Sequence, residues 1–321
     1  MLKNEYNPLF IHGKNPWILL LSLIGISLGG VFLIGNVLAF ITGMVMSGIG
    51  MEELIQILGN PMAYPEQRSM YLMVQGMASI GGFIIAPLIF YYTIVKGNLI
   101  KDFIDIPSNI LTMVLITFII VFSFMVTNTV FIDWNASIKL PEIFGGFEQW
   151  AKGLEDSMKI ITEYLTEFDT TGYFILTIFV IAVIPGVGEE LLFRGFLQNI
   201  LRRIFKNDHV AIWIAAILFS AIHFQFYGFI PRMLLGALFG YLYLWSGNLL
   251  IPIIAHFINN SVSLIALYIY QKGLTDIDVE STEALPTMYI LIFSALFVVT
   301  LVYFKNNLAK INSHERLDHR I

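Results

Sequence analysis

The 321-residue chain has no cysteine, which removes disulfides, thiolate nucleophiles and thiolate-held metal together. Charge is almost as scarce: Asp, Glu, Lys and Arg make up 13% of the residues, against about 25% in a soluble domain. No stretch is basic enough to follow a phosphate backbone, so nucleic acid is excluded as a partner. Internal repeats and low-complexity tracts are missing too. A cleavable leader does not fit the start. Residues 1–16 are mixed in polarity, and the roughly 27 mostly apolar residues that follow exceed a signal core of about 7–15.

What is there is apolar. Hydrophobic residues reach 57% and mean hydropathy is +0.77, the signature of a chain that crosses a bilayer repeatedly. The expected fold is all-α, a polytopic bundle with about eight spans near 17–44, 70–95, 109–131, 172–203, 209–227, 231–246, 248–270 and 286–304. The fourth is too long to stand upright, and Pro185-Gly186 offers a kink within it. Gly236 and Gly240, four residues apart, suit close helix packing. Asn36, Gln75 and Asn128 read as helix–helix hydrogen-bonding residues, and His209 as a surface residue at a helix start.

With eight spans both termini share one face. That face collects eleven Lys and Arg, including Lys3, Lys14, Arg202 and Arg203, and the other holds six, including Arg68, Lys152 and Arg232. The excess of positive charge puts both termini in the cytoplasm. Residues 132–170 form the longest connection. Phe147, Trp150, Ala151, Leu154, Met158, Ile161 and Leu165 recur there at helical spacing, with Glu148, Glu155 and Asp156 between them. This describes an amphipathic helix lying on the outer face with an acidic, solvated side.

A few polar residues break the apolar pattern. Glu189 and Glu190 sit side by side inside the fourth span, and a carboxylate at bilayer depth is a functional-site hypothesis by default. Glu190 and Arg194 are four residues apart and share a helix face, so they can pair; Glu189, turned about 100° away, stays chemically free. Two histidines follow, His223 in the fifth span and His256 in the seventh, with Asn260 one turn after His256. At 1.5 Å per residue, Glu189 is roughly 20 Å from Arg202, His223 roughly 21 Å from His209, and His256 and Asn260 roughly 12 and 18 Å from Asn248. All four side chains therefore reach one slab near mid-bilayer. Phe219 precedes His223 by one turn and can wall it.

One carboxylate, two imidazoles and a carboxamide suit hydrolysis of a peptide bond. A carboxylate with a histidine or a metal activates water, and histidine or asparagine donors stabilise the oxyanion. Alternatively, Glu189, His223 and His256 are the three ligands of a catalytic divalent metal, Zn2+ in the first instance, with water in the open position. The helical motif His-Glu-x-x-His is absent, so any such site is built from separate helices. Ser220 lacks the neighbours that would make it a nucleophile.

Taken in order, Glu-Glu-x-x-x-Arg (Glu189, Glu190, Arg194), Phe-x-x-x-His (Phe219, His223) and His-x-x-x-Asn (His256, Asn260) resemble the motifs of the CPBP family. These are the type II CAAX prenyl endopeptidase-like intramembrane metalloproteases, also called the Abi or bacteriocin self-immunity family. The resemblance covers about residues 171–270. It implies a catalytic core there, preceded by three spans and the amphipathic segment (1–170) and followed by a final span and cytoplasmic tail (271–321). It further implies membrane-embedded peptide-bond hydrolysis. Glu189 and His223 would activate water, His256 and Asn260 would form the oxyanion hole, and Glu190 and Arg194 complete the motif set. A divalent metal, commonly zinc, is assigned in the family. The implied partners are the lipid bilayer and a membrane-embedded or lipidated protein or peptide, in a bacterial cell membrane. A non-catalytic bacteriocin-immunity or membrane-scaffold protein is the alternative reading. A proton-coupled transporter would show repeated halves, and none is seen.

Overall fold

The computed structural model describes residues 13–308 except 105, 107, 279 and 280. Lys3, Lys310, Arg316 and Arg320 of the basic tally, and residues 309–321 of the expected tail, lie outside the described residues. The described residues form helices and connecting turns, with no strand among them. Ten helices matter here: α1 (Pro16–Ser47), α2 (Met51–Gly59), α3 (Pro65–Val95), α4 (Ile110–Ala136), α5 (Gly145–Leu165), α6 (Thr171–Phe205), α7 (Asp208–Ala221), α8 (Phe229–Ser246), α9 (Leu250–Gln271) and α10 (Thr287–Leu308).

Seven of them, α1, α3, α4, α6, α8, α9 and α10, are long and apolar enough to cross a membrane. The chain is an integral membrane helical bundle. Its outer helices leave large apolar side chains uncovered, such as Leu21, Leu33, Val45, Leu111 and Leu291. In water that surface would drive association, whereas against acyl chains it is at home.

The fifth expected span is shorter than the sequence suggests. α7 ends at Ala221, and its 14 residues reach roughly 21 Å, less than a hydrocarbon core of about 30 Å. Residues 222–228 form turns: Phe224 adopts a left-handed conformation at φ 53°, and the His223 and Phe224 amides turn back to the carbonyls of Ser220 and Ala221. His223 therefore lies on a turn beyond the helix rather than within it.

Around the site the packing is tight. α6 runs against α3 on one side and α9 on the other, α7 pairs with α8, and α4 is flanked by α9 and α10. The α6–α7 corner is sharp because Lys206 takes a left-handed φ of 52°, and Asn207 caps α7 by accepting from the His209 and Val210 amides at 2.9 and 3.3 Å. The α8 contact depends on two glycines. A Cβ on Gly236 would lie 3.1 Å from Phe219 and 3.3 Å from the Arg194 guanidinium; one on Gly240 would lie 2.9 Å from Gln198 and Ile212. The same two residues turn their carbonyls to α6, Gly236 accepting from Arg194 at 2.7 Å and Gly240 from Gln198 at 3.2 Å.

α5 lies across the bundle as an amphipathic helix, but its faces are not divided as expected. Phe147 and Trp150 are exposed, whereas Glu148 and Glu155 turn toward the protein and bond to Tyr227. The acidic residues at those two positions are docking groups, because Tyr227 offers donors that water would otherwise supply. Asn128 behaves as expected, donating across to the Pro231 carbonyl at 3.3 Å. Asn36 instead donates to Phe32 within its own helix, and His209 contacts the Tyr241 hydroxyl at 2.8 Å.

Candidate active site

The centre of the site is α6, and its local form follows from its composition. Two π-turns, Ile178–Val183 and Leu191–Leu197, flank the α-helical piece Ile184–Glu190. Pro185 sits at the start of that piece, so the wide turn before it absorbs the amide that proline lacks. The carboxylates of Glu189 and Glu190 then leave the helix in different directions.

Glu190 is fully buried and carries two partners on one oxygen: Arg194 Nη1 at 2.8 Å and His256 Nδ1 at 2.8 Å. Arg194 is 1% exposed, donates Nη2 to the Gly236 carbonyl and lies over the Phe219 ring at 4.8 Å. The expected Glu190–Arg194 pair is present, and the imidazole of α9 joins it. Such a buried arrangement holds together only when all members stay, because removing one leaves an uncompensated charge. Glu189 differs. Its side chain is 13% exposed and has no arginine partner among the described residues; its Oε2, like that of Glu190, is buried without a hydrogen bond, and His256 Nε2 approaches it at 4.0 Å.

The two histidines meet at Phe219. Its ring stands edge-on to His223 at 5.2 Å and to His256 at 6.0 Å, and His256 also stacks on Phe239 at 5.3 Å. His223 Nδ1 is 2.8 Å from the Phe219 carbonyl. A carbonyl only accepts, so Nδ1 carries the proton and Nε2 keeps its lone pair. Asn260 lies one turn beyond His256. Its Nδ2 donates to the Ile181 carbonyl at 2.9 Å, inside the first π-turn of α6, and its Oδ1 accepts from Asn259 at 3.1 Å. Ser220 donates to the Phe229 carbonyl at 2.7 Å and has no base beside it, as the sequence led us to expect.

The three expected zinc donors are not brought together as a cage in this arrangement. Among the described residues no three His, Asp or Glu side chains are grouped to hold a metal ion. His256 keeps Nε2 free, since Nδ1 is the nitrogen held by Glu190, but Glu189, His223 and His256 are not grouped as a three-donor set.

Arg232 was counted among loop residues, yet it lies in the first turn of α8, within electrostatic reach of both Glu189 and Glu155. One of its terminal nitrogens bonds Gln225 and the other is buried without a partner. The signal was an arginine directly after Pro231 at the head of an apolar helix. Asn135 was also missed; it is 1% exposed and bonds to the turn that carries His223.

Comparison with known proteins agrees with the position of this site. Residues 171–262 match the family described as Rce1-like, type II CAAX prenyl endopeptidase Rce1-like. That stretch contains Glu189, Glu190, Arg194, His223, His256 and Asn260. The chain is also similar to the uncharacterized protein YpbD of Bacillus subtilis (strain 168), 35% identical over 86 residues, which are 26% of this chain and 41% of that protein. The match thus spans less than half of the relative's length. No solved structure matches.

Proposed function

We propose that the chain is an intramembrane endopeptidase that hydrolyses a peptide bond of a membrane-embedded or lipidated protein or peptide. The observation that carries this reading is the contrast between the two adjacent carboxylates. Glu190 is fully buried and gives one oxygen to both Arg194 and His256, its other oxygen being unpartnered, while Glu189 is 13% exposed, forms no ion pair with arginine among the described residues and has His256 Nε2 at 4.0 Å from its own unpartnered oxygen. A buried polar atom left unsatisfied is costly, and such atoms are retained where a reacting group must bind.

In this reading Glu189 and His223 Nε2 share the task of taking a proton from water. The hydroxide oxygen bonds to the scissile carbonyl carbon, and the proton passes to the departing amine as the C–N bond breaks. His256, with Nδ1–H on Glu190, has Nε2 left to face the substrate; as the imidazolium it donates there to the developing oxyanion. Asn260 Nδ2 has one further N–H for the same oxygen while its first holds Ile181. Glu190 and Arg194 orient His256. No step is routed through a metal. The lipid-facing helices around the site suit an apolar substrate, since a hydrophilic peptide would lose hydration on entering. With α7 and the 222–228 turn taken together as an eighth crossing, the excess of Lys and Arg on one set of expected loops supports cytoplasmic termini in a bacterial membrane.

The test is a comparison of membrane peptides in cells that carry the wild-type chain or Glu189→Gln at equal abundance. Fragments present only with the wild type support the reading. Identical peptide profiles with a normally inserted variant reject it.

A further inference from the structure

The turn that carries His223 does not hold its own shape. Phe224, directly after the histidine, sits at φ 53° and is 61% exposed, so a β-carbon-bearing residue is held in the left-handed region without burial of its ring. Within the turn the backbone bonds are short-range: His223 to Ser220, Phe224 to Ala221 and Phe229 to Phe226. The remaining polar groups are taken up from outside. Asn135, in the last turn of α4, donates Nδ2 to the Phe226 carbonyl at 3.2 Å and accepts the Ile230 amide on Oδ1 at 2.8 Å. Glu155, in the middle of α5, accepts the Tyr227 amide at 3.0 Å. Glu148 accepts the Tyr227 hydroxyl at 3.2 Å, and Phe147 stands edge-on to Phe226.

Two helices that approach from different sides therefore bond to consecutive backbone groups just after His223. Both side chains end on the backbone of the turn, and Asn135 spends both ends of its carboxamide there. Neither is needed to hold α4 or α5 as a helix. Burial pushes the Glu155 carboxyl above its ordinary value, while the amide bonds and the Arg232 charge pull it back. Burying a carboxyl at this position is a cost that the Tyr227 contact offsets.

We infer that Asn135 and Glu155 are positioning residues for His223, clamping the 222–230 turn so that the imidazole stays against Phe219. In its catalytic consequence this rests on the hydrolase reading above. The clamp makes α5 more than a surface helix: its docking sets the histidine. Arg232, in reach of Glu155 and Glu189 alike, joins the two ends electrostatically.

The test uses the full-length protein in nanodiscs with Asn135→Ala, Asn135→Asp, Glu155→Ala and Glu155→Gln. The first readout needs no catalysis: the rate at which diethyl pyrocarbonate modifies His223, with His209 as internal reference. The alanine variants should react several-fold faster at His223, and Glu155→Gln, whose amide oxygen still accepts from Tyr227, should match the wild type. Unchanged His223 rates in Glu155→Ala overturn the clamp. The second readout is hydrolysis of a pool of fluorogenic apolar peptides. Glu155→Ala should lower kcat about tenfold or more with KM nearly constant, as expected for a displaced catalytic group, and Glu155→Gln should restore it. Asn135→Asp, which cannot donate to Phe226, should not recover. A change confined to KM overturns the positioning role. If the wild type hydrolyses nothing in the pool, the hydrolase reading fails while the modification rates still decide the clamp. Should Asn135→Ala not accumulate, the Glu155 pair decides alone.

Discussion

Replacing Arg194 by methionine preserves most of the stem's volume and removes the guanidinium from a position that is 1% exposed. Two hydrogen bonds go with it, 2.8 Å to Glu190 and 2.7 Å to the Gly236 carbonyl, as does the stacking over Phe219. Glu190, fully buried, is left with His256 alone. Breaking a buried pair from one side costs roughly 3–5 kcal/mol, and the orphaned carbonyl adds about 1 kcal/mol. The remaining His256 contact offsets part of this, so we expect a net loss of about 3 kcal/mol, or roughly a hundredfold in the folding equilibrium. Neutralising Glu190 in the same chain removes the stranded charge. Glu190→Gln with Arg194→Met should therefore be less destabilised than the two single changes together, by about 1.5 kcal/mol or more. Reversible unfolding in mixed micelles, followed by tryptophan emission for the four proteins of the cycle, measures this. An Arg194→Met protein within about 1 kcal/mol of the wild type, or strictly additive single changes, would refute the argument that this pair is a structural unit.

Other outcomes follow from the same geometry. Glu189→Gln should cut hydrolysis by about a hundredfold to ten-thousandfold yet leave stability equal or higher, since it neutralises a buried carboxylate with an unpartnered oxygen; activity and unfolding assays on one preparation check both halves. Gly236→Ala forces a Cβ to 3.1 Å from Phe219 and should destabilise by about 1–3 kcal/mol, with Gly153→Ala, open to solvent, as the harmless control in thermal melts. Asn260→Ala should lose a factor of about 100–1,000 in kcat if its amide serves the oxyanion, with KM little changed. For Glu155, burial raises the carboxyl pKa in the folded state, so protonation favours docking of α5. That contribution is complete below the ordinary value of 4.5 and is lost as pH rises through the raised folded value. The Tyr227 contact itself persists, since the carboxyl oxygen accepts in either form, so hydrogen exchange of α5 should rise modestly across that pH range in the wild type and not in Glu155→Gln.

Much of the site was legible because helix spacing carries it. Glu190 and Arg194 at i, i+4 pair as the repeat requires, and the depth count from Arg202 and Asn248 correctly brought α6 and α9 to one level. The position of His223 was legible only approximately. Residues 222–230 include Ile222, Phe224, Phe226, Phe229 and Ile230, so hydropathy continues through a turn that the left-handed Phe224 creates. The inward Glu148 and Glu155 could not be read from their own helix. Charged residues at that spacing read as a solvated face, and the partner that reverses this, Tyr227, is 72 residues away from Glu155. Composition also suggested a zinc triad: it counts donors and cannot show whether Glu189, His223 and His256 are grouped, which among the described residues they are not.

The central claim, that Glu189 directs water at a peptide bond, is tested most directly by hydrolysis of an apolar peptide pool in 18O-labelled water by the purified protein in liposomes. Wild-type chain should release fragments whose new carboxyl termini carry the label, and Glu189→Gln should release none above background. Labelled fragments formed at the same rate by both proteins would contradict the account.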